Sequence, residues 1–198
     1  MSGLLQNHIA AVTGAGSGIG RAISLGFARE GASVAALDVD GDTAAQTVAS
    51  IRAAGGTAES FNLDITDRAA CDDIAAKVSP LMGSVSVLVN NAGINRRTPF
   101  TGDPANVIKD WSDIMAVNLD GMFNVTHAFL ATLRATKGRI VNIASVQSFA
   151  HMRTPLASVI CPDAANRELS CSMDPTLDAK LCQSVPRGVS VPNSANFG

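Results

Sequence analysis

The sequence predicts a doubly wound α/β domain organised around a parallel sheet. Short β-branched runs alternate with stretches whose apolar residues recur at helical period, as successive strand–helix–strand units require. The first run leads straight into a glycine-rich turn, Thr13-Gly14-Ala15-Gly16-Ser17-Gly18-Ile19-Gly20, that opens a helix. No internal repeat, low-complexity tract or linker interrupts the alternation before about residue 145.

Taken in order, the first strand is expected over 9–12, ending in Ala11-Val12 just before the glycines. A helix over 18–30 follows, with Ile19, Ala22, Ile23 and Phe27 at helical spacing. The second strand, 33–37, ends against Asp38, and a helix over 42–54 leads to a third strand at 57–61. A helix over 67–78 precedes the fourth strand, 85–89, which runs into Asn90-Asn91-Ala92-Gly93. The stretch 105–135 reads as two helices joined around Val117-Asn118, and a fifth strand over 139–143 delivers Ser145. Beyond Thr154-Pro155 the pattern fails: Pro155 and Pro162 bracket a segment too short for a stable helix, and prolines recur at 175, 186 and 192. Residues 1–155 are therefore expected to form the domain, incomplete at its C-terminal side, and 156–198 a divergent or truncated tail that is not a domain of its own.

Composition narrows the function class. With 198 residues, 46% of them hydrophobic, and a mean hydropathy of +0.21, the chain can bury one substantial core and is short for two. A net charge of −2 offers no basic field for nucleic acid or an anionic membrane, so a small-molecule substrate is the expected partner. The N-terminal residues lack a secretory pattern, and no apolar run approaches the roughly 20 residues that span a bilayer, which predicts a cytoplasmic protein. Cys71, Cys161, Cys171 and Cys182 form no C-x-x-C pair and no ligand spacing, so neither a zinc site nor a disulfide framework is expected.

The glycine-rich turn carries the first functional signal. Glycines between a strand and a helix permit a tight turn and let the backbone approach a pyrophosphate, which the helix N-terminus holds with unpaired N–H groups and its dipole. Asp38, at the end of the next strand, stands near the spacing at which a carboxylate accepts hydrogen bonds from the adenosine ribose. Alone, the glycines are an ordinary turn and Asp38 a solvated strand end; together, in this order, they point to a dinucleotide. A carboxylate there repels a 2′-phosphate, so NAD is favoured over NADP, with Arg21 nearby weighing the other way.

The T-G-x-x-x-G-x-G spacing resembles that of the short-chain dehydrogenase/reductase family, and four further segments agree in order. Asp64-Ile65 resembles the pair that flanks the adenine, and Asn90-Asn91-Ala92-Gly93 the family's N-N-A-G. Asn118, in Met115-Ala116-Val117-Asn118-Leu119, matches the asparagine of the long fourth helix, and Gly138–Ser145 looks like the strand carrying the catalytic serine. The resemblance covers about three quarters of the chain and implies a Rossmann-type, NAD-dependent oxidoreductase acting on a secondary alcohol or ketone. It implies cofactor contacts at Gly14, Ser17, Gly18, Ile19, Gly20, Asp38, Asp64, Ile65, Asn91, Ala92 and Gly93. Ser145 takes the role of the group that hydrogen-bonds the substrate oxygen, and Asn118 that of the group that helps hold a proton-relaying water. Without the family, Ser145 is a hydroxyl closing a strand end and Asn118 a helix-kink amide. No metal is implied.

Two of the family's four catalytic groups are missing. The chain contains no tyrosine. Counted from Ser145, the family's tyrosine falls at or near Ser158 and its lysine at or near Pro162, and shifting by one or two residues restores neither. A phenol serves as a base at neutral pH only when a neighbouring cation lowers its pKa, and serine and proline reproduce neither partner. His151 has a suitable titration range but no demonstrated partner. Ser158–Pro162 resembles the family's sixth strand, and Val185–Pro192 its later P-x-G-R-x-G-x-P segment. The tyrosine–lysine helix then reads as excised between about Leu156 and Ser158, with the chain stopping before the seventh strand; a frameshifted tail is the rival account. Family members are homodimers or homotetramers, and that helix contributes to the interface. Catalysis is accordingly in doubt, the alternatives being a non-catalytic cofactor-binding or sensor protein and an inactive truncated product. Gly93–Phe100 and Ser145–Phe149 look like gluconate and other sugar-acid or polyol dehydrogenases, where Arg96 or Arg97 could pair with a substrate carboxylate or simply be solvated loop residues.

Overall fold

The computed structural model of the chain describes residues 3–96, 98, 99 and 102–144. Five strands, β1 (Ile9–Thr13), β2 (Ser33–Asp38), β3 (Thr57–Asn62), β4 (Val87–Asn90) and β5 (Arg139–Asn142), form one parallel sheet in the order β3-β2-β1-β4-β5. The helices are α1 (Gly18–Arg29), α2 (Gly41–Ala53), α3 (Arg68–Met82), α4 (Pro104–Met115) and α5 (Met122–Thr136). The predicted parallel α/β fold is what forms, and each predicted strand is present within two residues of its expected ends. Among the described residues the sheet ends at β5; the expected incompleteness beyond it and the tail 156–198 lie outside them.

Strand alternation sorts the side chains onto two buried faces. Ala11, Ala35, Leu37 and Leu88 face one layer, where Ile74 and Val78 of α3 and Val125, Phe129 and Leu133 of α5 pack. Ala10, Val12, Val34, Ala36, Val87 and Val89 face the other, against Val48 and Ile51 of α2 and the partly buried Ile23 and Phe27 of α1. Burial on both faces accounts for strands that read as continuous apolar runs. The chain builds outward from β1 through β2 to β3, then returns along α3 to lay β4 on β1's other side. The loops after β1 and β4 consequently leave toward opposite faces, and a crevice opens between them at the carboxyl end of the sheet.

The helices depart from expectation in two places. The 67–78 helix runs on to Met82, through Pro80. Pro80 sits in the last turn, where it forfeits the one hydrogen bond its N–H would give to the carbonyl four residues back, and Gly83 at φ +103° ends the helix after Met82. The predicted break at Val117-Asn118 is a π-helical segment, Ala116–Gly121, that joins α4 to α5 without leaving helical backbone: Met115, Ala116, Gly121 and Met122 all stay in the right-handed helical region. A widened turn of this kind absorbs an extra residue while the rod continues. Among the described residues no helix is long and apolar enough to cross a membrane, and no cluster of His, Cys, Asp or Glu could hold a metal.

Cys71 lies fully buried in the layer under α3, its thiol 3.6 Å from the Ile65 carbonyl oxygen. Burial, followed by the nearby Asp72, Asp67 and Asp64 carboxylates, pushes the thiol up to about 11. A thiol whose folded pKa is raised keeps its stabilising neutral form below pH 9, and the unfolded state gains as the pH climbs from there toward 11. Thermal melts of the wild type should therefore lose on the order of 2 kcal/mol across that window, while Cys71→Ala, lower at neutral pH, should lose much less over the same interval.

Candidate functional site

The crevice between β1 and β4 holds a cleft of about 670 Å³. Gly14, Ser17, Gly18 and Ile19 form one wall, and Leu37, Asp38 and Val39 follow from the end of β2. Leu63, Asp64, Ile65 and Thr66 come from the loop after β3, and Asn91, Ala92, Gly93 and Ile94 from the loop after β4. Arg96, Asp113, Ala116 and Val117 complete the lining. Ten of the eleven expected cofactor contacts thus line one cleft. Gly20 does not: it packs behind the wall, where an added Cβ would stand 2.1 Å from the Gly14 carbonyl oxygen. Ser145, His151 and Arg97 lie outside the described residues, as do positions 158 and 162.

Backbone geometry makes the glycine wall. Gly14 takes φ +63°, and a Cβ on it would sit 2.8 Å from Asn91 Nδ2, so this turn has room only for glycine. The buried Thr13 Oγ1 donates to the Val89 carbonyl at 3.3 Å and accepts from the N–H groups of Asn91 (2.9 Å) and Ala92 (3.0 Å). Asn91 Nδ2 in turn donates to the carbonyls of Thr13 (3.0 Å) and Gly14 (3.3 Å). Helix α1 differs from its neighbours at its N-terminus. Asp40, Asp67 and Asp103 cap α2, α3 and α4 through their carboxylates, whereas Ser17 makes no side-chain cap bond and no acidic residue occupies the first turn of α1. The first-turn N–H groups have no intrahelical acceptor and face the cleft wall with the positive end of the dipole, an arrangement suited to an anion.

Asp38 is fixed before any ligand arrives. Its Oδ2 accepts from the Gly16 N–H at 2.8 Å and its Oδ1 from the Asp40 N–H at 3.0 Å. At the other end of the cleft, Arg96 is held by α4, 3.8 Å from Asp110 and 3.5 Å from Asp113. Lys109 donates to Asp113 at 2.6 Å, and this bond, with Arg96, holds the Asp113 carboxyl below its ordinary value. Asn118 does not line the cleft; its Oδ1 accepts from Ile94 N–H at 2.8 Å and its Nδ2 donates to the Ile94 carbonyl at 2.9 Å. From the π-helical segment it thereby pins the loop after β4, with Gly93 close against it.

Residues 8–157 match the family model described as short chain dehydrogenase. The chain belongs to the short-chain dehydrogenase/reductase family. It is 38% identical over 179 residues to Probable oxidoreductase EphD of Mycobacterium tuberculosis, covering 89% of this chain and 30% of that protein. It is 37% identical over 145 residues to gluconate 5-dehydrogenase of Gluconobacter oxydans, covering 73% of this chain and 56% of the relative. A crystal structure of a gluconate 5-dehydrogenase from Burkholderia cenocepacia, in complex with NADP and tartrate, superposes with a TM-score of 0.74 at 34% identity over 83% of this chain and 64% of that one. The chain thus spans under two thirds of the length of each of these relatives.

As a member of this oxidoreductase family the chain has an NAD(P)-type cleft, and its own geometry fits such a group. The uncapped N-terminus of α1 suits a pyrophosphate, the fixed Asp38 carboxylate suits vicinal hydroxyls, and Val39, Leu63 and Ile65 give apolar surface where a base could stack. The motif reading passed over Gly16 as a variable position. A Cβ there would fall 2.1 Å from Thr43 Oγ1, 2.8 Å from Thr43 Cβ and 2.9 Å from Asp38 Oδ2. Only the contact between the loop and α2 reveals this, and no local pattern carries it. Gly16→Ala should therefore weaken NAD(P) binding at least about tenfold, the scale of one lost hydrogen bond to a charged group, while the melting midpoint moves by a few degrees; titration calorimetry and thermal melts on the two proteins check it.

Proposed function

We propose that this chain binds NAD in preference to NADP across the β1/β4 crevice and has lost the means to turn over a substrate. The observation that carries the cofactor choice is Asp38. Its carboxylate is aimed at the cleft by two backbone N–H bonds, so ribose hydroxyls can donate to it without reorganisation, whereas a 2′-phosphate meets a like charge in a fixed position. Arg21, the cation that favoured the other reading, lies 3.4 Å from Ser50 Oγ on α2. The NADP of the Burkholderia structure belongs to that protein and makes the comparison of the two cofactors the decisive one.

The loss of turnover rests on the sequence. The bound nicotinamide supplies or accepts hydride; the protein must move the accompanying proton, and the chain has no tyrosine to do it. The family match ends at residue 157, beside the position where the tyrosine–lysine helix is missing. Similarity to the mycobacterial relative covers 89% of the chain and so has to continue past that point. This favours an internal loss over a frameshifted tail, whose sequence would resemble nothing in the family. The chain then acts as a cofactor-binding or sensor protein, with the ancestral reaction, between NAD(H) and a secondary alcohol or ketone of the sugar-acid or polyol class, reduced to background. Arg96 is a weaker candidate for recognising a substrate carboxylate than its sequence position suggested, because Asp110 and Asp113 already engage it.

Calorimetry should find saturable NAD binding at least about tenfold tighter than NADP binding, a gap of 1.4 kcal/mol. Asp38→Asn keeps an acceptor for Gly16 but removes the charge, and should narrow that ratio. The same sample, given gluconate and a panel of polyols, should produce no reduced cofactor above background. Tighter NADP binding would overturn the cofactor assignment, and measurable turnover would overturn the loss of catalysis.

A further inference from the structure

A loop that presents its N–H groups to an anion must turn its carbonyls inward, and each buried carbonyl then needs a donor. In this chain the inward carbonyls are met from two sides. Asn91, from the loop after β4, serves Thr13 and Gly14. The next, that of Ala15, is met by Thr47 of α2: its Oγ1, with one proton to give, lies 3.0 Å from the Ala15 carbonyl oxygen, against 3.2 Å from that of Thr43 in its own helix and 3.5 Å from that of Gly16. Thr47 is fully buried, and neither the cofactor motif nor the catalytic positions include it. A mid-helix threonine ordinarily returns its hydroxyl to its own helix; here the shortest of the three contacts goes across to the glycine loop.

We propose that Thr47 is a positioning residue for the cofactor, holding the glycine loop from beneath so that its N–H groups stay directed into the cleft. This deepens the NAD-binding reading and rests on it. The same loop segment is gripped from above, where Gly16 N–H is bonded to Asp38 and Gly16 has room for no side chain against Thr43. Thr47 and Asp38 thus fix opposite sides of Ala15-Gly16. Without the hydroxyl, the Ala15 carbonyl is buried and unpaired; the ligand-free loop relaxes to hydrate it, and a ligand has to restore the anion-binding shape at its own cost. The effect falls on ligands that use the loop and spares those that do not.

The test uses the full chain with Thr47→Val, which keeps the shape and removes the donor, and Thr47→Ser, which keeps the donor. NAD and ADP affinities are compared with that of adenosine, alongside hydrogen exchange at the Gly16 and Ser17 amides in the ligand-free protein. The expected result is roughly a tenfold loss for NAD and ADP in T47V, unchanged adenosine affinity, faster exchange at those amides, and recovery of all three in T47S. Equal loss for adenosine, unchanged NAD affinity beside a lowered melting midpoint, or loss of cooperative melting in both variants would make Thr47 a core residue only and overturn the proposal. Wild-type chain that binds no NAD, yet shows the exchange difference between T47V and T47S, would separate failure of the NAD reading from failure of the loop anchor.

Discussion

One buried hydroxyl ties the two halves of the sheet together where they would otherwise part. β1 and β4 are neighbours in the sheet, but the segments that follow them leave toward opposite faces, so nothing in the strand ladder continues beyond Thr13 and Asn90. Thr13 Oγ1 bridges the gap by giving its proton to Val89 and accepting the N–H groups of Asn91 and Ala92. All of a hydroxyl's bonding capacity is thereby spent within the switch point. The width of the crevice, the turn at Gly14 and the course of the loop into Ile94 all follow from that junction. Valine in its place would keep the volume and take the acceptor away from the Asn91 and Ala92 N–H groups.

The rest of the site is a matter of polar groups satisfied in one direction so that others stay open in another. Three helices are closed at their N-termini by aspartates, and α1 alone among the four helices with this kind of start is left without a side-chain cap. Its free donors would be a liability in a buried turn and are an asset at the edge of a cleft. Asp38 and Asn118 work in the same manner from either end. Each fixes a loop through backbone atoms, and neither depends on the other, so the two ends of the cleft are built separately on elements the sheet already holds.

Much of this was legible in the sequence because it depends on local rules. A strand entering glycines, a carboxylate at the next strand end and apolar runs of the right length report backbone requirements that hold wherever the chain lies. What was not legible depends on distant partners. Gly16 reads as a variable position until Thr43 and Asp38 are found against it, and Arg96 reads as a free loop cation until α4 places Asp110 and Asp113 beside it. Asn118 marked a break in the helical pattern, correctly, but a pattern of period 3.6 cannot tell an interruption of the helix from a widened turn within it. The helix expected over 67–78 runs on through Pro80 to Met82 because a proline in the last turn removes one hydrogen bond without ending the helix, and the backbone at Gly83 ends it instead.

The strand order also dictates when, during synthesis, each edge finds its mate. β1 is made first, and α1 alone separates it from β2, yet β2, β3 and three helices must be made before β4 appears to cover its other side. Through that interval a short, uncharged, apolar strand presents an unpaired edge, the form of surface most open to wrong partners. The central seam of the sheet is therefore closed late, and the crevice exists only after it closes. A dinucleotide bound across the seam would stabilise only chains in which that seam has closed.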